Sequence, residues 1–334
     1  MSSEVFQCLR VTESPDGSFS QTVSTRSIDA LPDGDLTILV QYSSLNYKDA
    51  LSATGNRGVT RDYPHTPGID AAGVVTSSST NRFRPGDEVI VTGFDLGMNT
   101  DGGFAERIRI PSQWALPLPG EITLCDSMSY GTAGLTAGLC IRALMEGGVT
   151  PDKGTILVTG ATGGVGSLSV AILNHLGYQV TALTGKPDRH DFLTGAGASA
   201  VLDRGEFLGQ PDRPLLKPLW AGVIDTLGGK PLDVALRGCD EFSVIAACGM
   251  AASIRLDTNV FPFILRGVRM DGITSQNCPM QIRETVWAQL ANEWRPDVLE
   301  SLTKECSLPE LPDRIQSMLN VETAGRIRVR CSTS

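Results

Sequence analysis

A glycine-rich turn between two apolar segments constrains the fold of this chain more than any other feature. Residues 155–177 read TILVTGATGGVGSLSVAILNHLG, in which a β-branched run leads into the turn and a helix-like pattern follows it. The spacing Ala161-x-Gly163-x-x-Gly166 matches a dinucleotide-binding fingerprint with alanine at its first glycine. The stretch predicts a parallel α/β sheet with a dinucleotide site, and a purely structural turn is the alternative. The predicted contacts are Ala161, Thr162, Gly163, Gly164, Val165 and Gly166.

The glycines of this turn have separate predicted roles. A side chain at Gly163 would block the approach of a pyrophosphate, and a side chain at Gly166 would push the following helix away from the strand. The start of that helix offers free N–H groups and a partial positive charge to phosphates. The turn is therefore expected to bind the phosphates through its backbone.

The end of the next strand indicates which dinucleotide binds. An enzyme that uses NAD usually places Asp or Glu about 20 residues after the glycines to bind the ribose hydroxyls. This chain has Thr184, Gly185 and Lys186 there, and no acid. Lys186 can neutralise a 2′-phosphate, with Arg189 or Arg204 contributing from nearby loops, so NADPH is the expected cofactor. The alternative is that Lys186 is a solvated surface lysine.

Composition excludes several classes of protein. The net charge is −9, with 28 basic and 37 acidic residues, which argues against a nucleic-acid-binding protein. The eight cysteines contain no C-x-x-C pair, so we expect reduced thiols and no zinc site. The start MSSEVFQCLR has no signal-peptide pattern and no segment has the length of a membrane helix, so a cytoplasmic protein is expected.

The pattern of apolar residues changes twice along the 334 residues, a length that suggests two domains. Residues 1–124 contain short β-branched runs separated by turn residues, which indicates a compact β domain. Residues 125–278 alternate strand and helix patterns around the glycine-rich turn, which indicates a parallel sheet covered on both faces. Residues 279–334 begin with a helical pattern and end in the strand-like GRIRVR, which we expect to return to the β domain.

Six segments together resemble the bacterial acryloyl-CoA reductase family, in the quinone-oxidoreductase branch of the medium-chain dehydrogenase/reductase superfamily. They are SSLNYKDAL, PGIDAAGVV, TGATGGVGS, WAGVIDTLGG, AACGMA and FPFILRGVRMDGI, and the resemblance covers essentially the whole chain. Zinc-containing members have an early cysteine and a Gly-His-Glu sequence. Here Asn46 stands near the cysteine position, and Gly68-Ile69-Asp70 replaces Gly-His-Glu. The resemblance therefore implies a member without zinc.

The resemblance also implies a fold and an activity. The fold is α/β: a Rossmann-type doubly wound parallel sheet in residues 125–278, plus a GroES-like β-barrel catalytic domain in residues 1–124. The activity is reduction of the carbon–carbon double bond of acryloyl-CoA to propionyl-CoA with NADPH. The strand near residues 268–273 is expected to pair across a two-fold axis in a homodimer.

The polar residues of SSLNYKDAL are the predicted catalytic group. Negative charge builds on the thioester oxygen during such a reduction and needs hydrogen-bond donors. We expect Tyr47 to contact the nicotinamide ribose and to assist protonation, Asn46 to position the thioester or the ribose, and Lys48 to donate. The alternative for Lys48 and Asp49 is a local ion pair at a helix start. Further cofactor contacts implied by the resemblance are Met250, Ile264 and Ser275.

The CoA phosphates require a basic surface on this acidic protein. Arg57 and Arg61 follow the polar group and are the predicted contacts, with Arg82 and Arg84 as other candidates. Solvated loop arginines are the alternative. Two other functions stay open: a reductase of quinones or free enones that uses NADPH, and a protein that binds NADPH without catalysis.

Overall fold

The computed structural model describes residues 4–332, and the chain forms two compact units. The first unit contains residues 4–132, 276–284 and 303–332, and the second contains residues 133–275 and 285–302. The chain thus passes between the units four times. The predicted boundary after residue 124 lies just before the first crossing, and the predicted C-terminal segment 279–334 is divided between the units.

Strands predominate in the N-terminal part of the chain, as its β-branched runs predict. Its elements are β1 (Val5–Glu13), β2 (Phe19–Ser27), β3 (Leu36–Leu45), α1 (Tyr47–Ser52), β4 (Asp70–Ser78), β5 (Glu88–Thr92), β6 (Arg107–Ile110) and β7 (Ala115–Pro117).

Helices and strands alternate after this part. The elements are α2 (Leu124–Glu146), β8 (Thr155–Thr159), α3 (Gly164–His175), β9 (Val180–Thr184), α4 (His190–Gly195), β10 (Ala200–Asp203), α5 (Arg204–Leu208), β11 (Trp220–Asp225), α6 (Gly229–Arg237), β12 (Cys239–Ala247), α7 (Phe261–Arg266), β13 (Arg269–Gly272), α8 (Met280–Ala291), β14 (Thr303–Ser307), α9 (Leu311–Leu319) and β15 (Arg326–Arg330).

The sheet of the second unit is parallel throughout, with strand order β10-β9-β8-β11-β12-β13. Four of the five residues of β8 and all five of β9 are buried, as expected for strands covered on both faces. From β8 the chain adds β9 and β10 on one side of the sheet. It then returns and adds β11, β12 and β13 on the other side of β8. The carboxyl ends of β8 and β9, where nucleotides bind in such sheets, therefore adjoin.

The main sheet of the first unit has the order β14-β15-β3-β4-β5-β7, and β6 also pairs with β3. A separate antiparallel hairpin is formed by β1 and β2. The last strand, β15, pairs with β3 from Ile327 opposite Leu45 to Arg330 opposite Tyr42. This pairing brings the C-terminal strand beside the start of the polar segment at residue 46. Within residues 4–332, none of the helices has the length and apolar character needed to cross a bilayer.

Candidate active site and nucleotide site

The turn between β8 and α3 has the geometry that the glycine spacing predicts. Gly160 has a φ of +59°, and a Cβ there would lie 2.2 Å from Thr226 Oγ1. A Cβ on Gly166 would lie 2.4 Å from the Gly160 carbonyl oxygen and 2.7 Å from Ala161 Cα. Gly163 precedes the first residue of α3, and a Cβ there would have only the Gly160 oxygen, at 3.4 Å. Close packing therefore requires glycine at 160 and 166, whereas Gly163 leaves space beside the helix start.

Two basic side chains lie at the end of β9. The Arg204 guanidinium covers Gly185 so closely that a Cβ on Gly185 would be 2.8 Å from Arg204 Cζ. Thr184 is buried, and its hydroxyl accepts a hydrogen bond of 3.0 Å from the Lys186 N–H. Lys186 is half-buried, and burial, followed by the charge of Arg189, lowers the pKa of its ammonium. Arg204 therefore lies against Gly185, and Lys186 is the next residue in the chain. Their role as a 2′-phosphate site stays a prediction.

Two acids near this group, Asp203 and Asp188, each have a local partner. Asp203 lies opposite Thr184 in the β10–β9 pairing. Its carboxylate accepts hydrogen bonds from the N–H groups of Gly205 and Glu206 and so caps α5. Arg189 pairs with Asp188 at 3.0 Å.

The other predicted cofactor contacts of the second unit lie on its loops and on α7. Met250 and Ile264 are 68% and 73% exposed, which is unusual for apolar side chains of this size. The Ser275 hydroxyl accepts a hydrogen bond of 2.8 Å from Thr136 Oγ1. Tyr47 belongs to the first unit.

Asn46 and Asp49 shape the start of α1. Asn46 has extended backbone (φ −119°, ψ 159°) and directly precedes the helix. Its N–H donates to Asp49 Oδ2 at 2.8 Å, and the Ile69 N–H donates to Asp49 Oδ1 at 2.8 Å. The Asp49 side chain is therefore fully buried inside the first turn and bonded to backbone on both oxygens.

A second buried carboxylate, Asp70, lies beside the first. Asn46 Nδ2 donates to Asp70 Oδ2 at 2.8 Å, and the Ser44 hydroxyl donates to the same oxygen at 2.5 Å. The Thr132 N–H and hydroxyl donate to the two Asp70 oxygens at 2.9 and 2.5 Å. The Asn46 amide group is thus occupied within the protein.

Arg326 on β15 supplies the positive charge of this cluster. Its guanidinium is 2% exposed and donates to Ser44 Oγ at 2.8 Å, to Asn46 Oδ1 at 3.3 Å and to the Ser129 carbonyl oxygen at 3.1 Å. One guanidinium faces two carboxylates, Asp49 and Asp70, so their charges do not cancel. Burial, with the charge of Asp70 added, raises the pKa of Asp49 to about 7. We refer to Ser44, Asn46, Asp49, Asp70 and Arg326 as the buried polar cluster.

An interruption of α2 makes room for this cluster. Gly131 has φ 53° and ψ −152° inside the helix, so the helical path breaks there. A Cβ on Gly131 would lie 2.3 Å from Ser44 Oγ and 2.5 Å from Asp70 Oδ2. The break also turns the Thr132 N–H toward Asp70, where a continuous helix would direct it along its own axis.

Lys48 and Tyr47 project from the first turn of α1. Lys48 is half-buried, and its ammonium donates to Gln276 Oε1 at 2.7 Å. The predicted alternative, an ion pair with Asp49, is absent from the described residues, since both Asp49 oxygens accept from backbone N–H groups. Burial lowers the pKa of Lys48, against a smaller opposing effect of Asp49. Tyr47 is 57% exposed, and its hydroxyl has no hydrogen-bond partner within residues 4–332.

The two predicted CoA-binding arginines have different surroundings. Arg57 Nη2 contacts both carboxylate oxygens of Glu13, at 2.6 and 2.7 Å, and its guanidinium lies 5.1 Å from the centre of the Tyr63 ring. Arg57 also donates to the Arg61 carbonyl oxygen. Arg57 therefore orders this loop, whereas the Arg61 side chain is exposed.

Several residues that build the site are not in the predicted set. The sequence signals for them are weak, because each acts through contacts with residues far away along the chain. Asp70 stands in the quoted PGID segment, and Arg326 alternates with Arg328 in a strand where charged residues are usually exposed. The residues that build the site but lie outside the predicted set are Ser44, Asp70, Thr132, Gln276, Arg283 and Arg326.

Comparisons with known proteins agree with this architecture. Residues 32–120 match the family described as alcohol dehydrogenase GroES-like domain, and residues 164–292 match the family described as zinc-binding dehydrogenase. A Ruegeria pomeroyi acrylyl-CoA reductase is 40% identical over 94% of this chain and 95% of its own. An Escherichia coli K12 protein provisionally named acrylyl-CoA reductase is 43% identical over 95% of this chain and 98% of its own. The chain belongs to the medium-chain dehydrogenase/reductase superfamily.

Other members of this superfamily extend the comparison. A Bacillus subtilis protein, provisionally named a quinone oxidoreductase, is 40% identical over 98% of this chain and 99% of its own. A Salmonella enterica oxidoreductase crystallised with NADP is 42% identical, covers 98% of this chain and 100% of its own, and has a TM-score of 0.94. The Bacillus subtilis protein crystallised with NAD is 40% identical, with the same coverage and a TM-score of 0.95. The predicted Rossmann-type and GroES-like fold is confirmed.

The description of one matched family implies zinc, and the residues at this site do not suit that ion. Zinc sites in proteins use Cys, His and carboxylate ligands. Here Asn46 and Asp70 hydrogen-bond each other at 2.8 Å, and the Arg326 guanidinium lies within the same cluster. Among residues 4–332 there is no group of three or more His, Cys, Asp or Glu residues arranged to hold a metal. An amide and two carboxylates that already accept hydrogen bonds, with a buried cation beside them, are a poor donor set for a divalent ion.

Proposed function

We propose that this protein reduces the carbon–carbon double bond of acryloyl-CoA with NADPH and releases propionyl-CoA. The observation that carries the proposal is the Lys48 ammonium, a half-buried acid with lowered pKa that bonds a neutral amide oxygen instead of a carboxylate. Such a group can donate a hydrogen bond or a proton to a substrate oxygen or carbon. The names of the Escherichia coli and Ruegeria pomeroyi relatives support the same substrate.

The end of β9 supports NADPH as the cofactor. Arg204 over Gly185, with Lys186 beside it, presents positive charge where an enzyme that uses NAD presents a carboxylate. The Salmonella enterica relative crystallised with NADP is consistent with this assignment. Because the Bacillus subtilis relative was crystallised with NAD, the preference for NADPH over NADH is tested by kinetics with both cofactors.

The side chains of the first unit would act on the thioester. Bound NADPH supplies a hydride to the β-carbon. The resulting negative charge on the thioester oxygen requires a donor, which Lys48 or Tyr47 can provide. A proton must then reach the α-carbon, and the same two groups are the candidates for its source. Asn46 takes part by fixing the start of α1, since its amide is occupied by Asp70 and Arg326. Zinc is not required in this scheme.

The exposed side chain of Arg61 is the proposed contact for CoA phosphate. Arg57 is ion-paired with Glu13 and contacts aromatic rings, so its proposed role is to shape the loop.

A cytoplasmic location remains a prediction.

Quinone reduction is the second candidate function. It is favoured by the name of the Bacillus subtilis relative. The exposed Tyr47 hydroxyl could equally donate to a quinone oxygen. A quinone reductase would be indifferent to the CoA group.

The experiment that tests the proposal follows NADPH consumption with acryloyl-CoA, crotonyl-CoA, acrylate and benzoquinone, each repeated with NADH. Acryloyl-CoA is expected to be reduced rapidly with NADPH. Mass spectrometry should show one deuterium from 4-deuterated NADPH at the β-carbon and one from D2O at the α-carbon. Turnover with benzoquinone alone would favour the second candidate. NADPH binding without turnover of any acceptor would indicate a non-catalytic protein.

We also propose that the protein is a homodimer. The strand β13 lies at one edge of the parallel sheet, and exposed edges of this kind favour pairing with another chain. The residues on and near α7 expose an unusual amount of apolar surface, and a second copy would cover it. Apart from the predicted cofactor contacts, these exposed residues are Ile254, Val260, Phe261, Phe263 and Leu265.

A further inference from the structure

The Lys48 ammonium has a neighbour that the sequence pattern did not indicate. Gln276 lies 228 residues further along the chain, and its side-chain oxygen accepts from Lys48 Nζ at 2.7 Å. The ammonium also donates to the weak acceptor Met98 Sδ, at 4.0 Å. The ion pairs among residues 4–332 do not include Lys48. We propose that Gln276 is a positioning residue that directs the Lys48 ammonium, an inference that rests on the proposed function.

The backbone carbonyl of Gln276 is held by two hydrogen bonds. Its carbonyl oxygen accepts from the Phe94 N–H at 2.9 Å and from Arg283 Nη2 at 3.2 Å. Gly93 has a φ of +77°, and a Cβ there would lie 3.0 Å from the same oxygen. The loop after β5 is thus shaped to receive residue 276.

Arg283 ties this loop to the start of α8. Its Nη1 donates to the Thr92 carbonyl oxygen at 2.6 Å and to Thr92 Oγ1 at 2.7 Å, and its guanidinium lies 4.5 Å from the centre of the Phe94 ring. Arg283 is 1% exposed, so these contacts are shielded from solvent. Lys48 is fixed through α1 by the buried polar cluster. Both members of the Lys48–Gln276 pair therefore sit on constrained backbone.

The chemical identity of residue 276 determines what the pair can do. A side-chain amide accepts one N–H of the ammonium without adding a negative charge. A second N–H faces only the weak acceptor Met98 Sδ, so the ammonium keeps donors for a substrate. A carboxylate at this position would stabilise the ammonium and raise its pKa, making it a weaker acid. An apolar side chain would leave the ammonium undirected and would shift the pKa in the opposite direction.

Two substitutions at one position test the proposal through shifts of opposite sign. In Gln276→Glu the alkaline limb of the kcat/KM profile with acryloyl-CoA is expected to move to higher pH. In Gln276→Met it is expected to move to lower pH. Turnover is expected to fall by about tenfold in both, with KM for NADPH unchanged. The exposed neighbour provides a matched control, since Asn277→Ala should match the unmodified protein.

A second measurement separates this proposal from the proposed function. The pKa of Lys48 is read by NMR from protein labelled with 13C at lysine Cε, with Lys48→Gln assigning the signal. A Lys48 pKa that rises in Gln276→Glu, in a protein inactive on all enoyl thioesters, would overturn the proposed function alone. Equal Lys48 pKa values in the two variants would overturn the positioning role. An unshifted pH profile with turnover within about twofold of that of the unmodified protein would overturn it as well.

Discussion

The position of Tyr47 is set by helix α1. Its hydroxyl makes no hydrogen bond within the described chain. Its phenol is therefore available to a ligand. We expect Tyr47→Phe to lower turnover of acryloyl-CoA by about tenfold, since it removes one donor from the reacting end of the substrate. Stopped-flow measurement of the hydride step and titration of NADPH check this. Unchanged turnover with unchanged NADPH affinity would remove Tyr47 from the mechanism.

Arg204 is the residue whose removal should alter the choice of nucleotide. A hydrogen bond to a charged group contributes roughly 1.5–3 kcal/mol, so Arg204→Ala should raise KM for NADPH by about tenfold or more. KM for NADH should stay constant, because NADH has no 2′-phosphate. Lys217→Ala, which removes an exposed charge elsewhere in the same unit, is the control. Equal changes for both cofactors would contradict a 2′-phosphate contact at Arg204.

The interruption of α2 is an element-scale feature with a direct energetic test. Gly131→Ala would force an alanine to a φ of 53° and place its Cβ within 2.5 Å of Ser44 Oγ and Asp70 Oδ2. The backbone strain and the collision should together destabilise the protein by about 2–4 kcal/mol. Calorimetry should show a clear fall in the unfolding temperature of the first unit. Gly120→Ala, where a Cβ would meet no atom within 4 Å, should leave that temperature unchanged.

The elements predicted from sequence are those that depend on local pattern. The strand, the turn and the helix of residues 155–177 form β8 and α3 because period, glycine spacing and packing all act within one short segment. The helix around ETVWAQLANEW and the final strand GRIRVR also correspond to α8 and β15. Tertiary contacts do not oppose the local preference in these segments.

The surroundings of the polar residues could not be predicted, because they depend on distant partners. Lys48 contacts Gln276, Asn46 contacts Arg326, and Arg57 contacts Glu13. No periodicity connects such pairs. The pattern SSLNYKDAL therefore indicates a helix start, whereas the burial of Asp49 follows only from the β3–β15 pairing and the backbone of Ile69.

Asp49 links the stability of the whole molecule to pH. Its pKa of about 7 in the folded protein lies above the ordinary value of 3.8, so the folded protein binds this proton more tightly than the unfolded chain. The stabilising contribution is complete below about pH 4 and is lost as the pH rises through about 7. Asp70 and Arg326 face Asp49 in the buried polar cluster, and Lys48 is its neighbour on α1.

Comparison with Asp49→Asn isolates this contribution. The free energy of unfolding of the unmodified protein, minus that of the variant, should fall between about pH 4.5 and about pH 8 by at most about 4 kcal/mol. Urea unfolding at a series of pH values measures it. The exposed Asp16, whose pKa is lowered by hydrogen bonds from Ser18, supplies the control. A flat difference for Asp49→Asn, like that expected for Asp16→Asn over this window, would contradict the raised pKa.

The exposed apolar surface around α7 allows a test of the proposed homodimer. Leu265 is 58% exposed, and Leu265→Glu would place a charge in the proposed dimer interface. Sedimentation equilibrium is expected to show a dimer for the unmodified protein and a monomer for Leu265→Glu. Val5→Glu, at a 60% exposed apolar position of the first unit, should remain dimeric. A monomeric unmodified protein would refute the homodimer.

The division of the first unit among three chain segments has a consequence for synthesis on the ribosome. Domains commonly fold as they emerge, beginning with the N-terminal one. Here β3 and β4 emerge early, whereas Arg326 on β15 lies 280 residues after Asn46. Until β15 emerges, Asp49 and Asp70 lack the Arg326 counter-charge, and the Tyr42–Leu45 end of β3 lacks its partner β15. The nascent region that carries β3 and β4 should therefore stay protease-sensitive and dependent on chaperones until β15 has been synthesised.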